Sequence, residues 1–181
     1  MSWKLNKTVV MVGMMGAGKT AVGKALAQVL DVGFRDSDAE IELAANMSIA
    51  EIFGRDGESF FRDRESQVIA RMLEEEPCVL STGGGAFMSP ANRKLISERG
   101  VSLWLNVDLD LLWSRVKHRD SRPLLKTPNP RATLRGLYET RMPIYAEADL
   151  EVRAEPRYSV SDMARHVVTA LAQRPDVLEA V

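Results

Sequence analysis

The sequence predicts an α/β domain built on a parallel sheet, and three observations predict it. Short apolar runs alternate along the chain with longer stretches of helical periodicity, the pattern of βαβ units whose sheet is covered on both faces. The first apolar run passes into the first helical stretch through a turn rich in glycine. The 181 residues, 45% hydrophobic and 27% charged, suit one domain, 1–181, with a core of its own.

The elements follow in order. Residues 8–12, a threonine followed by four apolar residues, read as a buried strand. Residues 19–30 read as a helix, with Ala21, Val22, Ala25, Leu26, Val29 and Leu30 on one face. Residues 33–36 are a second strand, 78–81 a third, 102–107 a fourth and 150–153 a fifth. Helices are expected between them over 38–45, 48–53, 58–75, 90–99, 109–118 and 131–146, and a last one over 159–171. Residues 174–181 follow it and are expected to fray. Right-handed crossovers bring the loops after the strands to one edge of the sheet, where a ligand would sit.

Composition narrows the class. The net charge of −1 gives the whole molecule no reason to seek nucleic acid or an anionic membrane. A single cysteine, Cys78, excludes an internal disulfide and a cysteine zinc site, and reads as a small buried apolar residue. The apolar stretch 8–17 is broken by Gly13 and Gly16 and does not read as a signal peptide. No run approaches 18 apolar residues, and a reducing cytoplasm is the expected compartment. Trp104 and Trp113 read as core, His118 and His166 as structural, and the nine methionines as adaptable packing.

Chemistry concentrates at the glycine-rich turn. Gly13-Met-Met-Gly-Ala-Gly-Lys-Thr20 matches G-x-x-x-x-G-K-[ST]. Glycines at that spacing let successive amides converge on phosphate oxygens, and the helix that follows adds the positive end of its dipole. Lys19 would reach the β and γ phosphates of a nucleotide, and Thr20 would place its hydroxyl on Mg²⁺. Gly13, Gly16, Ala17, Gly18 and Ala21 complete the phosphate loop.

Behind it, Asp36 and Asp38 stand two apart at a strand end. If the chain is extended there, both face one side; one carboxylate can hold magnesium through water and the other can help take a hydroxyl proton. Asp38 could instead cap the next helix. Arg62 and Glu65 lie three apart on one helix face and could pair, at a site or only in solvent. Gly83, Gly84 and Gly85 strip side chains from the end of the third strand, so that a ligand can approach the backbone. Residues 115–141 hold eight Lys or Arg against two acids, net +6, with three prolines. They read as a mobile basic loop followed by a helix. Arg122 and Arg141 are each either a cation for ATP or substrate or a plain surface charge.

Together, G-x-x-G-x-G-K-T, F-x-D-x-D, F-R-x-x-E, T-G-G-G, R-P-L-L and R-x-x-x-Y, which span the chain from the phosphate loop to Tyr145, resemble the shikimate kinase family. The resemblance implies a five-stranded parallel sheet of order 2-3-1-4-5, a substrate-binding region over about 36–65 and a lid over about 117–131. It implies transfer of a phosphoryl group from ATP, with Mg²⁺, to the 3-hydroxyl of shikimate, on the route to aromatic amino acids. Carried over, Lys19 and Thr20 serve phosphate and metal, and Asp36 assists the metal. Asp38 binds the acceptor hydroxyls. Arg62, Gly84 and Arg141 complete the acceptor site, and Glu65 orients Arg62. Arg122 is the lid cation, Arg115 lies against adenine, and Arg157 is placed on the base-contacting loop. The implied partners are small molecules, with a monomer expected. Another small-molecule kinase, of gluconate or a nucleoside monophosphate, is the nearest alternative; a nucleic-acid-binding protein using the basic stretch is a second.

Overall fold

A computed structural model describes residues 2–118 and 126–181. Five strands form one parallel sheet: β2 (Thr8–Val12), β3 (Phe34–Asp36), β4 (Val79–Ser81), β5 (Gly100–Asn106) and β6 (Leu150–Arg153). Their order is β3-β4-β2-β5-β6, which is the predicted 2-3-1-4-5. β2 lies in the middle, with Val9 level with Val79 on one side and Val101 on the other. That position explains its composition: every residue of β2 is buried, so an alternating pattern would have put polar groups in the core.

Helices cover both faces. α1 (Lys19–Leu30) follows the glycine-rich turn, and α7 (Val160–Leu171) packs along it. α2 (Ser37–Ala45) and α3 (Ile49–Glu74) build an arm beside the sheet edge. Within α3, Gly57 adopts φ 87 and ψ 168, which no helix contains, so the segment is two helices meeting at that residue, as the sequence predicted. Ile41, Ile52 and Phe61 form a small core for the arm, separate from the main core. α4 (Pro90–Arg99), α5 (Leu109–Val116) and α6 (Pro130–Tyr145) complete the layers. No helix among the described residues is long and apolar enough to cross a membrane.

The structure corrects three expectations. The last residues do not fray: β7 (Leu178–Ala180) pairs antiparallel with β1 (Trp3–Leu5) in a second, two-stranded sheet. Val177 and Leu178 are buried in the main core, which gives the segment the apolar anchor that a fraying end lacks. The chain is not extended through Asp38, because α2 already starts at Ser37. Its cap is Asp36 and not Asp38: the Asp36 carboxylate accepts from the amides of Asp38 and Ala39. Residues 119–125, including Arg122 and the central part of the expected lid, lie outside the described residues.

Candidate active site

A cavity of about 790 Å³ opens at the end of the sheet where β2, β3 and β4 finish. Its floor is the turn from β2 to α1. Gly16 sits at φ 84, and a Cβ there would stand 2.7 Å from Val116, so only glycine fits the curl. Gly18 is the N-cap of α1 and offers no side chain, so no cap competes for the first amides of the helix. Ala17, Gly18, Lys19, Thr20 and Ala21 all line the cavity. Lys19 Nζ donates to the carbonyls of Gly13 at 2.6 Å and Met14 at 3.1 Å, so its charge stays over the loop. Arg115 on α5 donates to the Gly16 carbonyl at 3.0 Å, and burial lowers its pKa.

Asp36 and Asp38 reach the cavity from β3 and the first turn of α2. Burial raises the Asp38 pKa to about 6, reinforced by the neighbouring Asp36 and opposed by Lys19 and Arg62. Its Oδ1 is buried with no hydrogen-bond partner among the described residues. Such a carboxylate is poised near neutrality and has an acceptor position open. Thr20 and Asp36 offer a hydroxyl and a carboxylate on the same cavity. Among the described residues no three His, Cys, Asp or Glu cluster for a metal. Hard oxygen donors that leave most positions to phosphate and water suit Mg²⁺ rather than an all-protein cage.

The three glycines after β4 prove more specific than an open strand end. A Cβ at Gly83 would stand 3.0 Å from the Asp38 carboxylate, one at Gly84 2.8 Å from Arg141 Nη1, and one at Gly85 2.4 Å from Arg62 Nη2. Each missing side chain thus makes room for a different charged group, and the three meet along one stretch of backbone. Glu65 holds Arg62 at 2.9 Å, as predicted, and is itself buried, which raises its pKa against the pull of Arg62. Arg141 is buried near the end of α6. Four residues later Tyr145 donates its hydroxyl to the Gly84 carbonyl and packs between Phe87 and Trp104. Burial pushes the Tyr145 pKa to about 12, so it remains a donor. Tyr145 therefore fixes the glycine strand end, a role that the R-x-x-x-Y spacing did not disclose.

Not every expected residue gathers here. Arg157 is exposed, pairs with Glu155 at 2.6 Å and lies over the Tyr158 ring; it does not line the cavity. Tyr158, Ser159, Val160 and Met163 line it instead, at the start of α7. Arg157 and Tyr158 are neighbours on one loop, and no spacing or pattern in the sequence tells which of them meets the cavity. Lys24, one turn beyond Thr20 on α1, also lines the cavity and was foreseeable from helical spacing alone.

Comparison with known proteins gives a consistent result. The family model for shikimate kinase matches residues 15–172. A shikimate kinase of Ruegeria pomeroyi is 69% identical over 175 residues, covering 97% of this chain and 90% of its own. One of Cereibacter sphaeroides is 66% identical over 176 residues, covering 97% and 88%. The solved structure of the Acinetobacter baumannii shikimate kinase in complex with shikimate is 36% identical, with a TM-score of 0.85, covering 90% of this chain and 91% of that one. The phosphate loop, the paired aspartates, the arginine-lined glycine strand end and these matches together establish that the chain belongs to the shikimate kinase family.

Proposed function

We infer that the chain carries out its family's reaction, ATP-dependent phosphorylation of shikimate, and that the residues gathered around Gly83–Gly85 choose the acceptor. One observation carries the reading: two arginines and one aspartate of raised pKa converge on side-chain-free backbone beside the phosphate loop. A small ring with a carboxylate at one end and hydroxyls at the other matches that charge order. A planar nucleobase or an uncharged sugar does not.

In this reading Arg62 and Arg141 bind the carboxylate through charge-assisted hydrogen bonds, and Glu65 orients Arg62. Asp38 accepts a hydrogen bond from the 3-hydroxyl and takes its proton as that oxygen bonds to the γ-phosphorus. The bond from phosphorus to the bridging oxygen breaks, and ADP leaves. Lys19 and the first amides of α1 stabilise charge on the phosphates. Thr20 and Asp36 would hold Mg²⁺, which neutralises phosphate charge when bound. The place of Arg115 beside the base rests on its lining the cavity against the phosphate loop, and that of Arg122 over the phosphates on the R-P-L-L motif.

The test is ADP release with shikimate, gluconate and nucleoside monophosphates, followed by a double comparison of Arg62→Ala with a shikimate carboxamide. Shikimate should be the only good acceptor of the set. The carboxamide should be poor with the parent enzyme and lose little more with Arg62→Ala. If the two losses simply multiply, Arg62 does not meet the carboxylate.

A further inference from the structure

The family model stops at residues 15 and 172, yet the chain has an ordered element on either side, and the two elements pair with each other. Trp3–Leu5 and Leu178–Ala180 form the antiparallel ribbon of β1 and β7. The Asn6 amide donates to the Val177 carbonyl at 2.8 Å, and the Val181 amide to that of Ser2 at 3.0 Å, so the pairing extends beyond the strands. Asn6 Nδ2 donates to Glu179 at 2.9 Å, and Lys7 pairs with Asp176 at 3.3 Å.

What the ribbon joins gives it consequence. Its first strand leads, through Asn6 and Lys7, into β2 and so to the phosphate loop. Its second strand ends a tight turn that leaves α7: the amides of Val177 and Leu178 both donate to the Arg174 carbonyl at 2.9 Å. The opposite end of α7 carries Ser159, Val160 and Met163, which line the cavity across from the phosphate loop. The two walls of the nucleotide end therefore belong to segments that are clasped together at their far ends.

We propose that the β1–β7 clasp is a positioning device for ATP: by fixing the far end of α7 against β2, it sets the width of the nucleotide cavity. The proposal rests on the reading of that cavity as the ATP site. α7 has 12 residues and spans about 18 Å, so a tilt of roughly 3° about one end displaces the other by about 1 Å. A displacement of that size is enough to spoil contacts that depend on position. The acceptor groups stand on α2, α3, β4 and α6, which the ribbon does not hold.

The measurement is calorimetric binding of ATP and of shikimate, with steady-state kinetics, on a chain ended after Arg174. ATP should bind about three- to tenfold more weakly, with shikimate affinity and kcat both within about twofold. Unchanged ATP affinity, or equal losses for both ligands in step with a lowered Tm, would overturn the proposal. If the shortened chain does not fold, Trp3→Cys with Ala180→Cys replaces an opposed pair of the full-length ribbon with a switchable link. ATP should then bind at least about twofold more tightly in the oxidised than in the reduced protein, and equal affinities overturn the proposal. Lys19→Ala, run alongside, separates the two causes of failure. Undiminished ATP affinity there removes the nucleotide reading and the clasp with it, whereas a loss there with none in the clasp variants removes the clasp alone.

Discussion

Gly84→Ala should separate acceptor recognition from everything else the enzyme does. The added Cβ would stand 2.8 Å from Arg141 Nη1. An ordinary contact is about 3.4 Å or more, so the guanidinium must withdraw by roughly 0.6 Å. Arg141 is only 9% exposed and stands beside Tyr145 at 1%, so it has little room to withdraw without losing its aim. Gly84 is not among the residues of positive φ, so alanine adds no backbone strain of its own. A charge-assisted hydrogen bond contributes about 1.5–3 kcal/mol. At about 1.4 kcal/mol per factor of ten, kcat/KM for shikimate should fall about 10- to 100-fold. The KM for ATP should stay within about twofold, because the phosphate loop is untouched. Steady-state ADP release with each substrate varied in turn reads both numbers. Gly33→Ala is the control, since a Cβ there meets nothing within 4 Å. A Gly84→Ala enzyme that is folded and keeps kcat/KM within about twofold would refute the placement of Arg141 at the acceptor.

Four further outcomes are expected. Lys19→Ala should keep the fold but lower turnover by about 10²-fold or more, as removal of one preorganised donor does; near-normal turnover would show that the lysine does not serve the phosphates. Asp38 has a folded pKa of about 6 against 3.8 unfolded, so the native state binds the extra proton, and stability from this group declines as pH rises between those values. Asp38→Asn should therefore abolish most activity yet raise stability at pH 7 by on the order of 2–3 kcal/mol, read by denaturant unfolding at pH 4 and pH 7; a stabilisation equal at both pH values would refute the cause. For the parent enzyme, kcat/KM should fall as pH drops through about 6. Gly136→Ala, inside α6 with open space around its Cβ, should raise stability by about 0.5–1 kcal/mol and Tm by a few degrees, while a lowered Tm would mean that α6 needs the glycine.

The parts of the molecule legible in the sequence are those where local chemistry and global position agree. The phosphate loop is one, because glycines at fixed spacing have few uses besides curling a backbone around an anion. The three central strands, β2, β4 and β5, are another, because burial on both faces leaves a largely apolar run with few competing explanations. Gly57 broke the helical pattern where the backbone breaks. What stayed hidden depends on distant partners. Trp3–Leu5 and Leu178–Ala180 are three residues each, too short to show a period, and become strands only by meeting across the whole chain. Asp36 and Asp38 are equally good caps, so composition could not place the start of α2 to within a residue. The sequence showed that Gly83, Gly84 and Gly85 lack side chains; only the structure shows whose side chains fill the space.

The joint at Gly57 has a consequence for how such a kinase can change. The arm that carries Asp38 and Arg62 buries its own small cluster, Ile41, Ile52 and Phe61, and of the residues packed there Val68 alone also packs on the main core. Substitutions around Ile41, Ile52 and Phe61 are thus felt mainly within α2 and α3 up to Val68, whereas Ile69, Met72 and Leu73 beyond it belong to the main core. The sheet and the phosphate loop keep their packing. Acceptor choice and nucleotide chemistry can then drift at different rates within one domain, and a swapped arm would be expected to inherit a working engine.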